Sequence, residues 1–538
     1  MLANISIIDR VAQHVEKNPN GKAFVFVQRY DDKGDTITWL ELWRQAQSLA
    51  DRIQTNDRDI KKTGVLIFCI DEKNFIISLL AIWMRGAVAI PSMVGRQKGV
   101  MKRNSHIIES SQPDIVLHDS PAEELDTLHK ELNTDTKIIC VTEIIENQTE
   151  PPNSTWNNHR MGGLLQFTSG STAKPKPIYL DGVKIAINCA AIKKAYSLNK
   201  QSVGVHWLPL FHDMGLVGSC IASMWTGCLS VLLRPTVFIQ RPRAWLEHIS
   251  YWKGTITSAP NFAYEQLCQR IQTCDINGLN LSSLTSVVIG GEPVSKETLT
   301  KLIEKFGPCG LNLDSLSPSY GMAEATLLIS SGRRIAGPIY SSSHSDFPVT
   351  GLGAPIDGVK ITLRDKQTLK PVANGQLGEI WISGKGVGQV IPLDKNWRIH
   401  KGGDEVCTGD YGFFEEGVLF LTGRDANKII IRGRNVFAED IEFLVKQSQP
   451  TSFCAGVAAL GIEDNGSQNL CILIEDNRTQ QALNIRALNE VILNKIGVKP
   501  SQVVLLKRAT LPRTSSGKIQ RNLAKKQYIN HEYINRVV

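Results

Sequence analysis

The chain has 538 residues, of which 42% are hydrophobic and 21% are charged, and its formal net charge is +8. Its most apolar run, residues 75–84, is far shorter than the roughly 20 residues of a membrane-spanning helix. Asp9 and Arg10 interrupt the apolar amino-terminal stretch, which argues against a secretory signal. The 11 cysteines are scattered without a CxxC pair, which argues against a zinc site and favours reduced thiols in the cytoplasm.

Positive charge is concentrated at the carboxyl-terminal end. From Ser501 onward one acidic residue, Glu532, stands against eight basic residues: Lys507, Arg508, Lys518, Lys525, Lys526, Arg513, Arg521 and Arg536. This pattern is typical either of a solvated tail or of a surface that meets an anionic partner. Aromatic residues are not interleaved with the basic ones, which argues against nucleic-acid binding.

Strand and helix patterns alternate along residues 1–150. Helical spacing predicts helices at 7–15, 40–53 and 75–84. Short apolar runs predict strands at 64–70, 87–91, 114–117 and 137–141. Since strands separated by helices form parallel sheets, this part is predicted to be a mainly parallel α/β sheet. The polar stretch 143–160 is predicted to be a loop.

A strand at 164–168 leads into a loop rich in hydroxyls, from Thr168 to Thr172, and Lys176 follows it. Backbone N–H groups and hydroxyls donate to phosphate oxygens, and lysine offsets their charge. The loop is not a Walker motif, because no glycine-lysine-serine/threonine ending opens a helix. The same pattern is typical of a surface turn, so both interpretations stay open here.

Three later stretches carry candidate functional residues. His212 and Asp213 form a pair beside aromatic residues, which is either catalytic or a structural turn. The strand 286–289 ends in two glycines, which leave backbone open to a ligand or simply form a turn. Tyr320 is able to stack on a base and Glu324 to hold a divalent cation, although both are also ordinary loop residues.

The pattern changes in the last third of the chain. Residues 330–350 are rich in glycine and serine and are predicted to be a loop, whereas short strands at 360–363, 378–383 and 417–421 predict a small β subdomain. Asp410 is predicted to lie in a turn. Residues 423–428 are interpreted as a hinge. An α+β module with helices at 438–446 and 485–495 then follows it.

In combination and order these stretches resemble the adenylate-forming superfamily, which comprises acyl-CoA synthetases, peptide-synthetase adenylation domains and luciferases. The resemblance covers nearly the whole chain. Within the superfamily the chain resembles fatty acyl-AMP ligases most, on the stretches 207–216, 238–246, 259–264, 291–294 and 320–326. Ala323 stands where most other branches have threonine.

This resemblance implies an α/β fold in two parts. Residues 1–426 would form a large amino-terminal domain of mainly parallel α/β sheets plus a small β subdomain, with the ATP and acyl sites. Residues 427–538 would form a small mobile α+β domain that carries a catalytic lysine. The implied reaction joins a fatty acid to the α-phosphate of ATP, with Mg²⁺, and then passes the acyl group to an acyl carrier protein.

The resemblance also implies the residues of the site. Those that would bind ATP are Thr168, Ser169, Gly170, Ser171, Thr172, Lys176, Gly291, Glu292, Pro293, Tyr320, Gly321, Met322, Asp410 and Arg424. The first six would hold the β- and γ-phosphates, the stretch 291–293 and Tyr320 would frame adenine, and Asp410 would bind ribose. Glu324 and Thr168 would hold Mg²⁺. Lys518 would bridge the reacting oxygens and His212 would line the junction with the acyl pocket.

The chain also departs from the family pattern. Ala173 and Pro177 replace glycines of the phosphate loop, and Asn427 follows Ala426 where relatives often have lysine-aspartate. Two alternatives therefore stand beside a fatty acyl-AMP ligase: a fatty acyl-CoA synthetase, and a non-catalytic relative that binds adenylate. For the acyl chain, three residues are candidate pocket walls or core packing residues: Met224, Trp225 and Phe238.

Overall fold

The computed structural model of the protein describes residues 5–53, 60–121, 124–125, 128, 130–146, 161–168, 175–332, 337–344, 348–392, 396–398, 405–431, 434–448, 454–464, 467–476, 484–514 and 517–533. Within these ranges the protein is a mixed α/β structure, as the sequence predicts. No helix in the described ranges is long and apolar enough to cross a membrane.

The first of two large sheets is built mainly from the amino-terminal part of the chain. In spatial order its described strands are Gln389–Val390, Lys176–Asp181, Gly163–Thr168, Val88–Pro91, Gly64–Phe68, Ile115–His118 and Lys137–Cys140. The last five are parallel to one another and the first two are antiparallel. The run Gly64–Phe68 is buried along its whole length, which explains its uninterrupted apolar sequence.

The second large sheet holds the strands that follow. In spatial order they are Ala354–Pro355, Leu328–Ser331, Leu316–Gly321, Ser286–Ile289, Ile256–Ala259, Val203–His206, Leu229–Leu233, Lys22–Val27 and Asp35–Thr38. The six strands from Leu316–Gly321 to Lys22–Val27 are parallel. The prediction of mainly parallel α/β sheets is therefore confirmed, and the antiparallel strands lie only at the sheet edges.

Helices cover the two sheets. The α-helices in the described ranges are Ile7–Lys17, Trp39–Ala50, Glu72–Arg85, Lys98–Ser111, Val141–Glu146, Gly182–Ala195, Ala222–Thr226, Pro235–Gln240, Arg243–Trp252, Asn261–Arg270, Lys296–Phe306, Ala438–Gln447, Ile485–Ile496 and Arg521–Ile529. Local sequence sets several ends: Ser6 and Thr38 each close a capping box, and Gly86 ends the third helix in a left-handed conformation.

The predicted β subdomain is a four-stranded antiparallel sheet of Lys360–Arg364, Gly378–Ser383, Glu405–Glu415 and Val418–Arg424. The prediction that Asp410 lies in a turn was wrong, because it lies inside the third strand. Gly409 has φ +71 there, and the pairing with the neighbouring strand shifts register at this point. A bulge that contains glycine can lie within a strand, yet in the sequence it looks the same as a turn.

Three further loop predictions need correction. The stretch 330–350, predicted as loop, contains the short strands Tyr340–Ser341 and Val349–Thr350. The stretch 143–160 includes the end of helix Val141–Glu146, and its remainder lies outside the described residues. Pro177, which the sequence comparison assigned to the phosphate loop, lies in a strand opposite Phe167 instead. Ala173 lies outside the described residues.

The carboxyl-terminal residues form their own layers. Strands Cys454–Asp464, Ser467–Asp476 and Gln502–Lys507 make one sheet, and Lys428–Ile431 pairs with Arg434–Phe437. Among the described residues of 429–533 the buried apolar side chains form two clusters, whereas the main core of the large part runs from Ile7 to Leu419. This separation is compatible with two domains; the boundary at 426/427 stays a prediction.

Candidate active site

A wide cleft lies at the carboxyl ends of the parallel strands and is also lined by residues of the carboxyl-terminal module. Thr168 ends one strand of the first sheet, and Gly321 ends a strand of the second. Gly290 and Gly291 follow a neighbouring strand directly. Gly291 has φ +77, so glycine is needed to turn the chain here. This edge is where parallel α/β sheets bind ligands.

Tyr320, Asp410 and Arg424 form one hydrogen-bonded group in the cleft. The Tyr320 hydroxyl donates to Asp410 Oδ2 at 2.6 Å, and Arg424 Nε donates to Asp410 Oδ1 at 2.5 Å. Burial raises the pKa of Tyr320, and the Asp410 charge adds to the shift, so the phenol stays protonated. The Asp410 charge also raises the pKa of Arg424. Asp410 is thus a carboxylate fixed in orientation from two sides.

His212 and Asp213 lie directly before the π-helix Met214–Ile221, and Asp213 is its N-cap residue. His212 Nδ1 lies 2.5 Å from Asp213 Oδ1, which also accepts from the Met214 N–H at 2.8 Å. Burial opposes ionisation of Asp213, but His212 and Lys518 together hold its pKa below the ordinary value. The pair is therefore both structural, as a helix cap, and part of the charge distribution of the cleft. π-Helical segments occur frequently at functional sites.

Lys518 is presented to the cleft by a tight turn. The Thr514 N–H donates to the Lys518 carbonyl at 2.7 Å, and the Lys518 N–H donates to Thr514 Oγ1 at 3.1 Å. Gly517 has φ +83 in this turn. Arg513, at its base, donates to Glu475, a carboxylate with 1% of its side chain exposed. This ion pair, of which only the Glu475 side is buried, anchors the turn to the sheet of the carboxyl-terminal module.

The Lys518 ammonium lies among acidic side chains of the large part. Its Nζ is 4.0 Å from the point that a Cβ at Gly291 would occupy. Burial lowers the pKa of Lys518, while the carboxylates of Glu292 and Asp213 counteract the shift. Glu292 is itself held by the Phe262 N–H, and burial raises the pKa of Glu292. The cleft therefore holds a lysine cation directly beside the predicted nucleotide site.

Glu324 is a carboxylate suited to a divalent cation. Burial raises the pKa of Glu324, and the negative charges of Asp213 and Asp410 add to the shift. A cation beside Glu324 would relieve this repulsion. No cluster of three or more metal-binding side chains occurs in the described ranges. This donor set fits Mg²⁺, which typically takes one or two protein carboxylates and the oxygens of a phosphate substrate.

The cleft brings together most of the residues predicted from the sequence. Those that line it are Thr168, His212, Gly291, Glu292, Pro293, Tyr320, Gly321, Met322, Glu324, Asp410, Arg424 and Lys518. Lys176 pairs with Thr168 across the hairpin, but it is exposed and is not among the described residues that line the cleft. Ser169, Gly170, Ser171 and Thr172 lie outside the described residues.

Sequence reasoning missed two features of the site. Asp213 was considered only as a partner of His212, and its interaction with Lys518 was not predicted. The pair Arg513 and Glu475 was not predicted either, because 38 residues separate the two along the chain. The available signal for Asp213 was its position directly before the apolar run 214–225, where an aspartate is a typical helix cap.

The candidate acyl-pocket walls are core residues instead. Phe238 stacks on Trp207 with ring centroids 3.9 Å apart and is fully buried. Met224 and Trp225 are buried as well, and none of these three candidates lines the cleft. Of the two interpretations left open by the sequence, core packing is confirmed for Met224, Trp225 and Phe238.

Known proteins provide an independent comparison. The family described as AMP-binding enzyme matches residues 11–390. JamA of Moorena producens, described as a medium-chain-fatty-acid–[acyl-carrier-protein] ligase, is 30% identical over 97% of this chain and 95% of its own. The structure of a fatty acyl-adenylate ligase from L. pneumophila, in complex with acyl adenylate and pyrophosphate, is 26% identical with a TM-score of 0.71, covering 98% of this chain and 96% of that chain.

A third comparison supports the fold. A structure from a study of fatty acyl-adenylate ligases from E. coli and L. pneumophila superposes with a TM-score of 0.85 over 99% of both chains, at 24% identity. The predicted α/β fold and the predicted superfamily are confirmed by these matches. The chain therefore belongs to the AMP-binding enzyme family and is an ATP-dependent adenylate-forming enzyme.

Proposed function

We propose that the protein is a fatty acyl-AMP ligase that activates a fatty acid and passes the acyl group to an acyl carrier protein. The family match and the two relatives described as a fatty-acid–carrier-protein ligase and a fatty acyl-adenylate ligase support this function. The observation that carries it is the position of Lys518, a cation beside Asp213 and Glu292 in a cleft that also contains the Tyr320–Asp410–Arg424 group.

The first half-reaction needs charge control rather than a base. An oxygen of the ionised carboxylate forms a bond to the α-phosphorus of ATP, and the bond from that phosphorus to the oxygen bridging to the β-phosphate breaks. Pyrophosphate leaves with the electron pair. Because both reactants are anions, alignment and stabilisation of negative charge dominate the barrier. Lys518 would be the cation that stabilises this negative charge.

The nucleotide would be held by groups that are already oriented. Asp410 keeps free lone pairs beyond its two hydrogen bonds, and these would accept from the ribose hydroxyls. Tyr320 is pinned at its hydroxyl, so its ring is a fixed surface for adenine beside Gly291. Thr168 and the phosphate loop would bind the β- and γ-phosphates. Each of these roles is a proposal for the named residue.

Glu324 and Thr168 would hold Mg²⁺ together with phosphate oxygens of ATP. When bound there, the ion would neutralise negative charge on the phosphates of the leaving group. The raised pKa of Glu324 supports this assignment, because burial and neighbouring carboxylates leave its negative charge in need of a cation.

In the second half-reaction a carrier-protein thiol would attack the acyl carbonyl and release AMP. The turn that carries Lys518 packs against the large part, with the site of a Gly517 Cβ 3.6 Å from the Phe262 ring. We propose that residues 427–538 form the smaller domain and that this turn withdraws to admit the thiol. We also propose a cytoplasmic location, in line with the free state of the described cysteines.

The direct test is a product assay with purified protein, ATP, Mg²⁺ and fatty acids of graded length. Mass spectrometry follows acyl-adenylate and thioester, with either CoA or a holo carrier protein as the acceptor. We expect acyl-AMP to accumulate in the presence of CoA and to be converted to thioester by the carrier protein. Rapid formation of acyl-CoA would identify a CoA synthetase instead. ATP binding without any acyl-AMP would identify a non-catalytic relative.

A further inference from the structure

The helix Lys98–Ser111 forms part of one wall of the cleft, beside the strand that ends in Thr168. Asn104 fastens this helix to the chain that follows the adjacent strand. Ser92 Oγ donates to Asn104 Oδ1 at 3.0 Å, and Asn104 Nδ2 donates to the Met93 carbonyl at 2.8 Å. These two hydrogen bonds fix the position of the helix against the first large sheet.

Two side chains of this helix, Arg103 and His106, line the cleft beside the strand that carries Thr168. Arg103 Nη2 donates to the Phe167 carbonyl at 3.0 Å, and His106 Nε2 lies 3.1 Å from the Pro175 carbonyl oxygen. Because the two residues are three positions apart, they lie on the same face of the helix. This face therefore borders the end of the cleft to which the proposed function assigns the β- and γ-phosphates of ATP.

Arg103 uses little of its hydrogen-bonding capacity. A guanidinium has five N–H groups, and the bond to the Phe167 carbonyl is the one that Arg103 makes within the described residues. Phe167 lies opposite Pro177 in the hairpin, and proline has no N–H to donate to this carbonyl. Arg103 Nε is buried without a hydrogen-bond partner in the described ranges. A buried donor of this kind is unfavourable unless a ligand accepts from it.

The positive charge of Arg103 is also unmatched by the part of the chain that the structure describes. Burial lowers the pKa of Arg103, and no carboxylate there counteracts the shift. Arg243 provides a contrast, because its Nε is likewise buried without a partner but its Nη1 lies 3.2 Å from Glu247, and it does not line the cleft. A partly desolvated cation without a counterion, on the wall of a cleft, is suited to an anionic ligand.

We propose that Arg103 binds the pyrophosphate part of ATP and stabilises the negative charge that builds up there as the bond to the α-phosphorus breaks. A guanidinium is able to form two parallel hydrogen bonds to phosphate oxygens, and its charge offsets theirs. No proton has to move, since pyrophosphate leaves as an anion with the electron pair. Lys518 would act on the α-phosphate and Arg103 on the leaving group. The inference rests on the proposed function and adds a residue to its first half-reaction.

The test compares AMP, ATP and pyrophosphate as ligands, by calorimetric titration of the wild-type protein and of Arg103→Gln in the presence of Mg²⁺. Glutamine keeps an N–H donor for the Phe167 carbonyl but has no charge. The affinities for ATP and pyrophosphate are expected to fall about tenfold or more, because charge-assisted hydrogen bonds are lost. The affinity for AMP should stay close to the wild-type value, since AMP lacks the pyrophosphate part. AMP binding also reports that the variant is folded.

Arg103→Lys separates charge from structure. Lysine keeps the positive charge, so it is expected to retain more affinity for ATP than Arg103→Gln does, whereas a role limited to holding the Phe167 carbonyl predicts equal affinities. Arg243→Gln is the matched control outside the cleft and should leave all three affinities unchanged. The single-turnover rate of acyl-AMP formation at saturating ATP should fall in the order wild type, Arg103→Lys, Arg103→Gln, because the guanidinium also acts in the transition state.

Three results would overturn the inference: unchanged ATP affinity in Arg103→Gln, equal losses of AMP and ATP affinity in both Arg103 variants, or no binding of pyrophosphate to the wild-type protein. The last result needs no variant, so the test does not depend on folding of a substituted chain. If ATP affinity stayed unchanged while that for CoA fell, Arg103 would bind phosphates of CoA instead.

Failure of the proposed function has a different signature. A protein that forms no acyl-adenylate from any fatty acid, yet loses ATP affinity and keeps AMP affinity in Arg103→Gln, would refute the fatty acyl-AMP ligase and leave Arg103 as a phosphate-binding residue.

Discussion

Lys518 is held in the cleft by a balance between burial and two carboxylates. Burial lowers its pKa, and Glu292 and Asp213 raise it. If the ammonium stabilises the adenylation transition state, activity must fall as pH rises through this pKa. The fall is expected below pH 10.5, the value of an ordinary lysine.

Glu292→Gln tests this balance. The substitution removes a negative charge that raises the pKa of Lys518, so the alkaline fall of kcat/KM for adenylation should move to lower pH. Glu304→Gln removes an equal charge from an exposed helical position and should leave the profile unchanged. The measurement is the pH dependence of pyrophosphate release. A shift to higher pH, or none, would contradict the assignment.

The hydroxyl of Tyr320 orients Asp410, and this gives a second residue-scale prediction. Tyr320→Phe removes a 2.6 Å hydrogen bond and keeps the ring. We expect KM for ATP to rise about tenfold, since such a bond contributes about 1 kcal/mol or more, with little change in KM for the acid. Tyr251→Phe is the control at an exposed ring. An equal rise in both KM values would indicate a general structural defect.

At the scale of elements, the turn that carries Lys518 depends on Glu475, a buried anchor. Glu475 accepts from both Arg513 and the Leu511 N–H, at 2.8 and 2.7 Å. Glu475→Gln keeps the shape but loses the charge. We expect adenylation to slow about tenfold and the free energy of unfolding to fall by about 1–3 kcal/mol, with ATP affinity retained.

Glu463→Gln is the control for the anchor. Glu463 lies on the same sheet, is exposed and bonds only Gln468 in the described ranges. Calorimetric titration with ATP gives the ATP affinity, and single-turnover assays give the rate of adenylation. Thermal unfolding gives the change in stability. If Glu475→Gln lowered stability while adenylation stayed at the wild-type rate, the anchor would have no role in positioning Lys518.

Element type could be predicted where one local signal dominates. The strand Ser286–Ile289 and the strand Gly378–Ser383 have the predicted bounds, because short apolar or alternating runs end in glycine or serine. The bulged strand containing Asp410 was mistaken for a turn, because Gly409 has the composition of a turn and cross-strand pairing is not visible in sequence. The role of Glu475 was invisible for the same reason, as its partner is distant along the chain.

For the whole molecule, the α/β class followed from the order of patterns, and the superfamily followed from several motifs in sequence order. Neither the order of the patterns nor the set of motifs shows how the sheets and helices pack against one another. The sequence could not place Phe238 in the core rather than in a pocket, because both environments favour a large apolar side chain. It also could not show that Arg103 and Phe167 meet, since 64 residues separate them along the chain.

The central claim is that one lysine from the carboxyl-terminal module stabilises the adenylation step in the cleft of the large part. The most direct measurement is the single-turnover rate of acyl-AMP formation by Lys518→Ala, with ATP affinity measured in parallel and Lys507→Ala as an exposed lysine control. We predict a loss of at least about 100-fold in rate with ATP affinity within about twofold of wild type, and no change in the control. A rate for Lys518→Ala close to that of the wild type would contradict the account.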